Sequence, residues 1–177
     1  MKIMKFREIN ESHKNEYGCS MIYFELPFSE VIHKVIDEKD IYEDPNDPTY
    51  GLETEPHVTL LFGLHSDVND DEVIENQIPD SDITEITLHN ISKFSNEMYD
   101  VLKFDVKSDW LYESNEKLRK LPHTTDFPDY HPHCTIAYLL PGTSDKYIEL
   151  LKGVSIQVKP TEFVYSKTNG EKIKNKI

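Results

Sequence analysis

Two stretches of the chain, Pro56-His57-Val58-Thr59-Leu60-Leu61-Phe62 and Pro132-His133-Cys134-Thr135-Ile136-Ala137-Tyr138, set a histidine and a threonine two residues apart at the head of an apolar run. In an extended strand, residues i and i+2 share a face. Each pair can therefore present an imidazole and a hydroxyl on one side while Val58, Leu60, Cys134 and Ile136 fill a core behind them. Either pair alone fits a buried histidine satisfied by a backbone carbonyl. Two copies, each led by proline and trailed by an aromatic, point instead to an internal repeat that gathers two imidazoles and two hydroxyls around one site. In-line cleavage of a phosphodiester needs a proton taken from the attacking hydroxyl and another given to the leaving oxygen. Imidazole, with an ordinary pKa of about 6.5, is present in both forms near neutrality and can serve either role. Threonine hydroxyls can donate to the non-bridging oxygens, where charge builds in the transition state.

These residues must be positioned by the elements around them. Residues 17–26 are apolar and β-prone and end at Pro27, which predicts a strand; Ser29 then caps a helix through Val31, Ile32, Val35 and Ile36. Residues 40–56, acidic and with three prolines, form a loop bordering the first motif strand. A short helix over 70–78 and an alternating strand over 83–94 with one slip of register complete the first half. The second half repeats the order. It has a strand over 98–106, a helix capped by Ser108 with Leu111, Leu118 and Leu121, the loop 122–132 and the second motif strand. A helix capped by Thr143 or Ser144 and closed by Gly153 follows, then one long strand over 154–167. Thr168-Asn169-Gly170-Glu171 predicts a hairpin with a type I′ turn. The fold class is α+β, in a single bilobal domain with an internal repeat of approximately 17–94 and 98–167. Two pseudo-symmetric lobes of antiparallel sheet, with helices outside, are expected to surround a central cleft.

Composition narrows the function. The 177 residues are 37% hydrophobic and 11% aromatic, enough for a core without disulfide or metal support. Cys19 and Cys134 sit among apolar neighbours and read as small core residues, so a reducing cytoplasm is the expected compartment. The charged opening, Met1 to Glu8, and the lack of a long apolar stretch predict a soluble protein without signal peptide or membrane span. With 33 acidic against 19 basic residues the net charge is −14. That field disfavours duplex nucleic acid and anionic membrane, but leaves a small nucleotide substrate open. The loop aromatics Phe127 and Tyr130 can stack a base or pack on the adjacent core. His131-x-His133 could form a metal pair, a poorer reading because Pro132 lies between them and Glu55 has no matching histidine. The other histidines, His13, His33, His65 and His89, lack a counterpart in the repeat and read as surface or edge residues.

Paired His-x-Thr strands in duplicated lobes resemble the 2H phosphoesterase superfamily, which includes RNA 2′,3′-cyclic phosphodiesterases. The wider wording is similar to phage anti-CBASS cyclic-oligonucleotide phosphodiesterases. It comprises Tyr17-Gly18-Cys19, the run Glu55 to His65, and Val164-Tyr165-Ser166-Lys167. The resemblance implies His57 and His133 as the catalytic pair, Thr59 and Thr135 as phosphate donors, and no cofactor or metal. It also implies Tyr17 and Glu162 as substrate-binding residues, alongside the loop residue Tyr130. The implied activity is hydrolysis of cyclic di- and trinucleotide immune signals, in the cytoplasm of the infected host cell if the chain is phage-encoded. An RNA 2′,3′-cyclic phosphodiesterase in RNA end processing would use the same four residues, and a non-catalytic nucleotide-sequestering module would need the cleft but not both histidines. The Lys and Arg residues are scattered, apart from Lys167, Lys172, Lys174 and Lys176 near the C-terminus, and form no basic track of the kind an RNA-end enzyme calls for.

Overall fold

Alternation of apolar and polar side chains produces two antiparallel four-stranded sheets in residues 16–177, the part of the chain that the computed structural model describes. Residues 1–15, with the charged opening and His13, lie outside the described residues. The strands are β1 (Gly18–Phe24), β2 (His57–Leu64), β3 (Ile86–Ser95), β4 (Asp100–Lys107), β5 (His133–Leu139), β6 (Ile156–Val158), β7 (Pro160–Ser166) and β8 (Lys172–Lys176). The first sheet has the order β2-β1-β7-β8 and the second β5-β4-β3-β6.

The lobes are not the two halves of the sequence. β7, late in the chain, pairs with β1, and β3, from the first half, pairs with β4. Each lobe therefore takes its third strand from the other half, which ties the two together covalently as well as by packing. Helices α1 (Phe28–Val31), α2 (Asp70–Gln77), α3 (Asp109–Leu118) and α4 (Ser144–Leu150) lie outside. α2 packs on β7, α3 on β2, and α4 on β3 and β4. One continuous core joins Ile22, Val58 and Leu60 of the first sheet to Phe104, Cys134 and Ile136 of the second, with Trp110, Leu111, Leu118 and Tyr147 from the helices. Removing such residues from water supplies most of the folding free energy, at about 25 cal/mol per Å² of apolar surface.

Several expectations change. The helix expected from Ser29 begins at Phe28, with Pro27 in the N-cap position, and is only four residues long; 3-10 turns follow at His33–Val35 and Glu38–Asp40. Proline's fixed φ favours that entry, and the β-branched Val31, Ile32, Val35 and Ile36 are poor material for extending a helix. Ser108 and Thr143 occupy N-cap positions but make no capping bond; the Thr143 hydroxyl donates to the Leu140 carbonyl instead. The single strand expected over 154–167 is two strands in different sheets. The break comes at Lys159, and Pro160, which has no N–H for a ladder, opens the second strand. The slip of register in β3 is a bulge at Asn90, whose φ is 46°. The β7–β8 hairpin forms, but among its central residues only Gly170 (φ 87°) has positive φ. Gly170 N–H donates to the Lys167 carbonyl at 3.0 Å, the pattern of a three-residue loop with a bulged glycine rather than a type I′ turn. Among the described residues, no helix is long and apolar enough to cross a membrane.

Candidate active site

β2 and β5 are edge strands, and they carry the same burial pattern over their first seven residues. They also carry the same defect. On β1 the partner of Thr59 is Met21 and the next partner, Ser20, faces Leu61, so Leu60 is the extra residue of a bulge. On β4 the partner of Thr135 is Lys103 and the next, Leu102, faces Ala137, so Ile136 is the extra residue. Both bulges sit three residues after the histidine, and both bulged side chains are fully buried. A bulge bends its strand and increases its twist. Here the bulge follows each His-x-Thr pair at the same position.

The open edges are covered reciprocally. The loop preceding β2 lies along β5, where Tyr42 N–H donates to the Tyr138 carbonyl (2.9 Å), Glu53 N–H to the Ile136 carbonyl (2.9 Å) and His33 Nε2 to the same Ile136 carbonyl (3.1 Å). The loop preceding β5 lies along β2, where Thr124 N–H donates to the Gly63 carbonyl (2.9 Å), Asn115 Nδ2 to the Leu60 carbonyl (2.6 Å) and the Tyr130 hydroxyl to the Thr59 carbonyl (2.9 Å). Each bulge carbonyl is thus held by a side chain from outside its sheet. Gly63 is required where that second loop crosses: its φ is +108°, and a Cβ there would stand 1.9 Å from the Thr124 carbonyl oxygen.

The two imidazoles are locked in the same way. His57 Nδ1 bonds the Glu55 carbonyl at 2.7 Å and His133 Nδ1 bonds the His131 carbonyl at 3.0 Å. A carbonyl can only accept, so Nδ1 carries the proton in both rings. Nδ1 is thereby committed in each ring. The strands approach at this end: the Cys134 sulfur reaches the His57 backbone amide, and the proximity of His57 helps lower the His133 pKa.

The surroundings of the two pairs differ. On the first sheet, cross-strand register puts Tyr23, Met21 and then Glu162 and Val164 on the face of His57 and Thr59. The Tyr23 ring stacks on His57 with centroids 5.4 Å apart. On the second sheet the corresponding neighbours are Asp105, beside His133, and Lys103, beside Thr135. The Lys103 ammonium is almost fully enclosed; it donates to Asp105 Oδ1 (2.6 Å) and to the Ser92 hydroxyl (2.8 Å), and lies 4.5 Å over the Phe94 ring. Phe94 in turn meets His133 edge-on at 5.1 Å. Burial pushes the His133 pKa down to about 4, and the Lys103 cation adds to that shift. His133 is therefore neutral at pH 7, with a lone pair on Nε2. Burial works to raise the Asp105 pKa, but hydrogen bonds from Lys103, Asn90 and Ser92 outweigh it and hold the carboxyl below its usual range.

Of the residues singled out from sequence, His57 and Thr59 share one face of the first sheet, His133 and Thr135 share one face of the second, and Glu162 lies in the same cross-strand row as Tyr23 and His57. Tyr17 sits at the opposite end of β1, against Phe62 and His65. Tyr130 packs edge-on against Tyr112 of α3 and spends its hydroxyl on the Thr59 carbonyl, at the strand edge rather than over the cleft. His131 is exposed, and its carbonyl orients His133. Among the described residues, no three His, Cys, Asp or Glu side chains stand where they could hold a metal ion. Sequence reasoning missed Tyr23, Lys103 and Asp105. Strand parity carried a signal for them, since Tyr23 is two residues from Met21 on β1, and Lys103 and Asp105 alternate with Leu102 and Phe104 on β4.

The model of the family described as Anti-CBASS protein Acb1 matches residues 52–166, a span that holds both motif strands and ends with β7. The chain belongs to that family. Among curated proteins none matches it. Its fold is that of Usb1 from Kluyveromyces marxianus, with a TM-score of 0.54 and 11% identity over 92% of this chain and 98% of that one. The structure of the same Usb1 with uridine monophosphate gives 0.51 and 10%, covering 92% and 99%. E. coli LigT complexed with 3′-AMP is a more distant likeness, at 0.47 and 16%, covering 92% and 95%. These likenesses are ones of fold.

Proposed function

We propose that the protein is a phosphodiesterase that opens cyclic di- and trinucleotides with His133 and His57 as base and acid. The observation that carries this reading is the pair of equivalent histidines, each fixed through Nδ1 to the carbonyl two residues before it and each followed three residues on by a bulge. His133, held neutral by burial, takes the proton of a ribose 2′-hydroxyl as O2′ bonds to phosphorus. The bond from phosphorus to the leaving oxygen breaks, and that oxygen receives a proton from His57. The product ends in a 2′,3′-cyclic phosphate. Water then opens it with the two imidazoles exchanging roles. Thr59 and Thr135 donate to the non-bridging oxygens, and the Lys103 cation beside Thr135 favours the charge that builds there. Membership of an anti-CBASS family supports cyclic nucleotide alarms as substrate, and the net charge of −14 favours a small ligand over a long polyanion.

A second reading, an enzyme acting on RNA ends that carry a cyclic phosphate, is favoured by the fold likeness to Usb1, one structure of which contains uridine monophosphate. One experiment tests both: incubation in EDTA with cyclic dinucleotides, cyclic trinucleotides and RNA ending in a 2′,3′-cyclic phosphate. Opening of the cyclic oligonucleotides is expected. Turnover of the RNA end alone would favour the second reading, and tight retention of intact ligand would mark a sequestering protein.

A further inference from the structure

β8 lies beyond the residues that the family model matches, yet it is the fourth strand of the sheet that carries His57. Its parity is set by Ile173, which packs on the core, so Lys172, Lys174 and Lys176 all point to the other face. Register places them opposite Ser166, Val164 and Glu162, which stand opposite Cys19, Met21 and Tyr23 of β1. That is the face of His57 and Thr59. Three lysines of a chain with net charge −14 are thus lined up on one side of the cleft.

Two of them lean toward the histidine. Lys172 Nζ is 3.4 Å from the Tyr23 hydroxyl and 3.5 Å from Glu55 Oε2, and Lys174 Nζ is 3.3 Å from Glu162 Oε1. Both ammonium groups lie within 6 Å of the Tyr23 ring, at 5.8 and 5.9 Å, and that ring stacks on His57. The cations therefore stand against the same ring that stacks on the imidazole. Half-exposed pairs such as these contribute little to stability, roughly 0–1 kcal/mol. Their partners Glu55 and Glu162 keep the side chains extended across the face.

We propose that Lys172 and Lys174 form a subsite for a second phosphate, so that the protein selects nucleotides with at least two phosphodiesters. The inference rests on the reading that a first phosphate lies between His57 and His133. Lysine recognises such a group as a compact point charge, through charge-assisted hydrogen bonds. An alternative use of a lysine-rich edge strand is protection against strand pairing with another molecule.

Binding can be measured without turnover by using ligands that lack the 2′-hydroxyl nucleophile: a cyclic di-2′-deoxynucleotide, with two phosphates, and a linear deoxydinucleoside monophosphate, with one. The wild-type chain is expected to bind the ring about tenfold or more tightly than the linear ligand. In the Lys172→Gln/Lys174→Gln double variant that preference should fall to within about twofold, through loss on the ring alone. Lys174→Gln alone should give part of the loss, Lys172→Arg should retain the preference, and Lys152→Gln, an exposed residue just after α4, should change nothing. Unchanged affinity for both ligands, with altered solubility or oligomeric state, would assign the lysines to edge protection and overturn the subsite. Equal weakening on both ligands, or lysine-dependent binding of single-stranded RNA in preference to the ring, would overturn it too. If the preference holds but the corresponding ribose ring is never opened, the proposed activity falls while the subsite stands. If the ribose ring is opened without any lysine-dependent preference, the subsite falls alone.

Discussion

On the first sheet, the side chains beside the motif on the adjacent strand are Tyr23 next to His57 and Met21 next to Thr59. On the second, the same two positions hold Asp105 next to His133 and Lys103 next to Thr135. The backbones match down to the bulge and the Nδ1 lock, while these neighbours are aromatic and apolar on one side and ionic on the other. In the proposed mechanism the matched backbones would set two equal groups on either side of a phosphorus. Acid–base catalysis then needs them to differ, because one must begin without a proton and the other with one. Burial and the Lys103 cation, which lower the His133 pKa to about 4, suit that ring to begin without a second proton.

The largest effect on this comparison should come from removing either ring. His133→Ala and His57→Ala are each expected to lower kcat by about a thousandfold or more while leaving the circular dichroism spectrum and most of the substrate affinity intact. Equal loss of affinity and rate in both would show that the rings only bind. Thr59→Val and Thr135→Val should be milder, on the order of tenfold to a thousandfold in kcat. Because Lys103 supports only one of the two, a double-mutant cycle with Lys103→Met should show coupling to Thr135 and none to Thr59.

The shared bulges can be broken in parallel. Leu60→Ala and Ile136→Ala each empty a fully buried position and should each cost about 2–5 kcal/mol in denaturant unfolding. Gly63→Ala is expected to be costly on the first sheet only. The corresponding residue of β5, counted from the histidine, is Leu139, where the passing loop bridges through Ile41 and tolerates a side chain.

The smallest effects lie in the pH profile. A base with a pKa of about 4 is free of its proton at all higher pH, so the acidic limb of kcat/KM should fall only as pH drops through about 4. Lys103→Met removes a cation that opposes protonation of His133 and should move that limb upward, by up to about one pH unit; Asp105→Asn removes an anion that favours protonation and should move it downward. Shifts of the same sign in both variants would mean that packing, rather than charge, sets the His133 pKa.

Much of this site was legible because its signal is local. A histidine and a threonine two apart in an apolar run specify their own face, and the copy of that pattern identifies its partner without knowledge of the fold. The strands and most helices were legible for the same reason, since periodicity is a property of neighbours in the chain. What failed depended on distant contacts. The chain over 154–167 looks like one strand until Pro160 is seen to hand it from one sheet to the other. Tyr130 reads in the sequence as able either to stack a base or to pack on the core, and the bond from its hydroxyl to the Thr59 carbonyl, 71 residues away, is not visible there.

The amino-acid sequence by itself determined the paired His-x-Thr strands, the α+β class and an acidic chain suited to a small ligand, because residue type, spacing and charge act over a few neighbours or summed over the whole chain. Only the tertiary structure decided that each lobe borrows its third strand from the other half, that both motif strands bulge at the same position, and that Tyr23 stands beside one histidine and Asp105 beside the other. Register across a sheet brings together residues far apart in the chain, and a shift of one residue moves every side chain to the opposite face. Cross-strand neighbours, and the pKa that they help to set, are therefore properties of the fold rather than of the string.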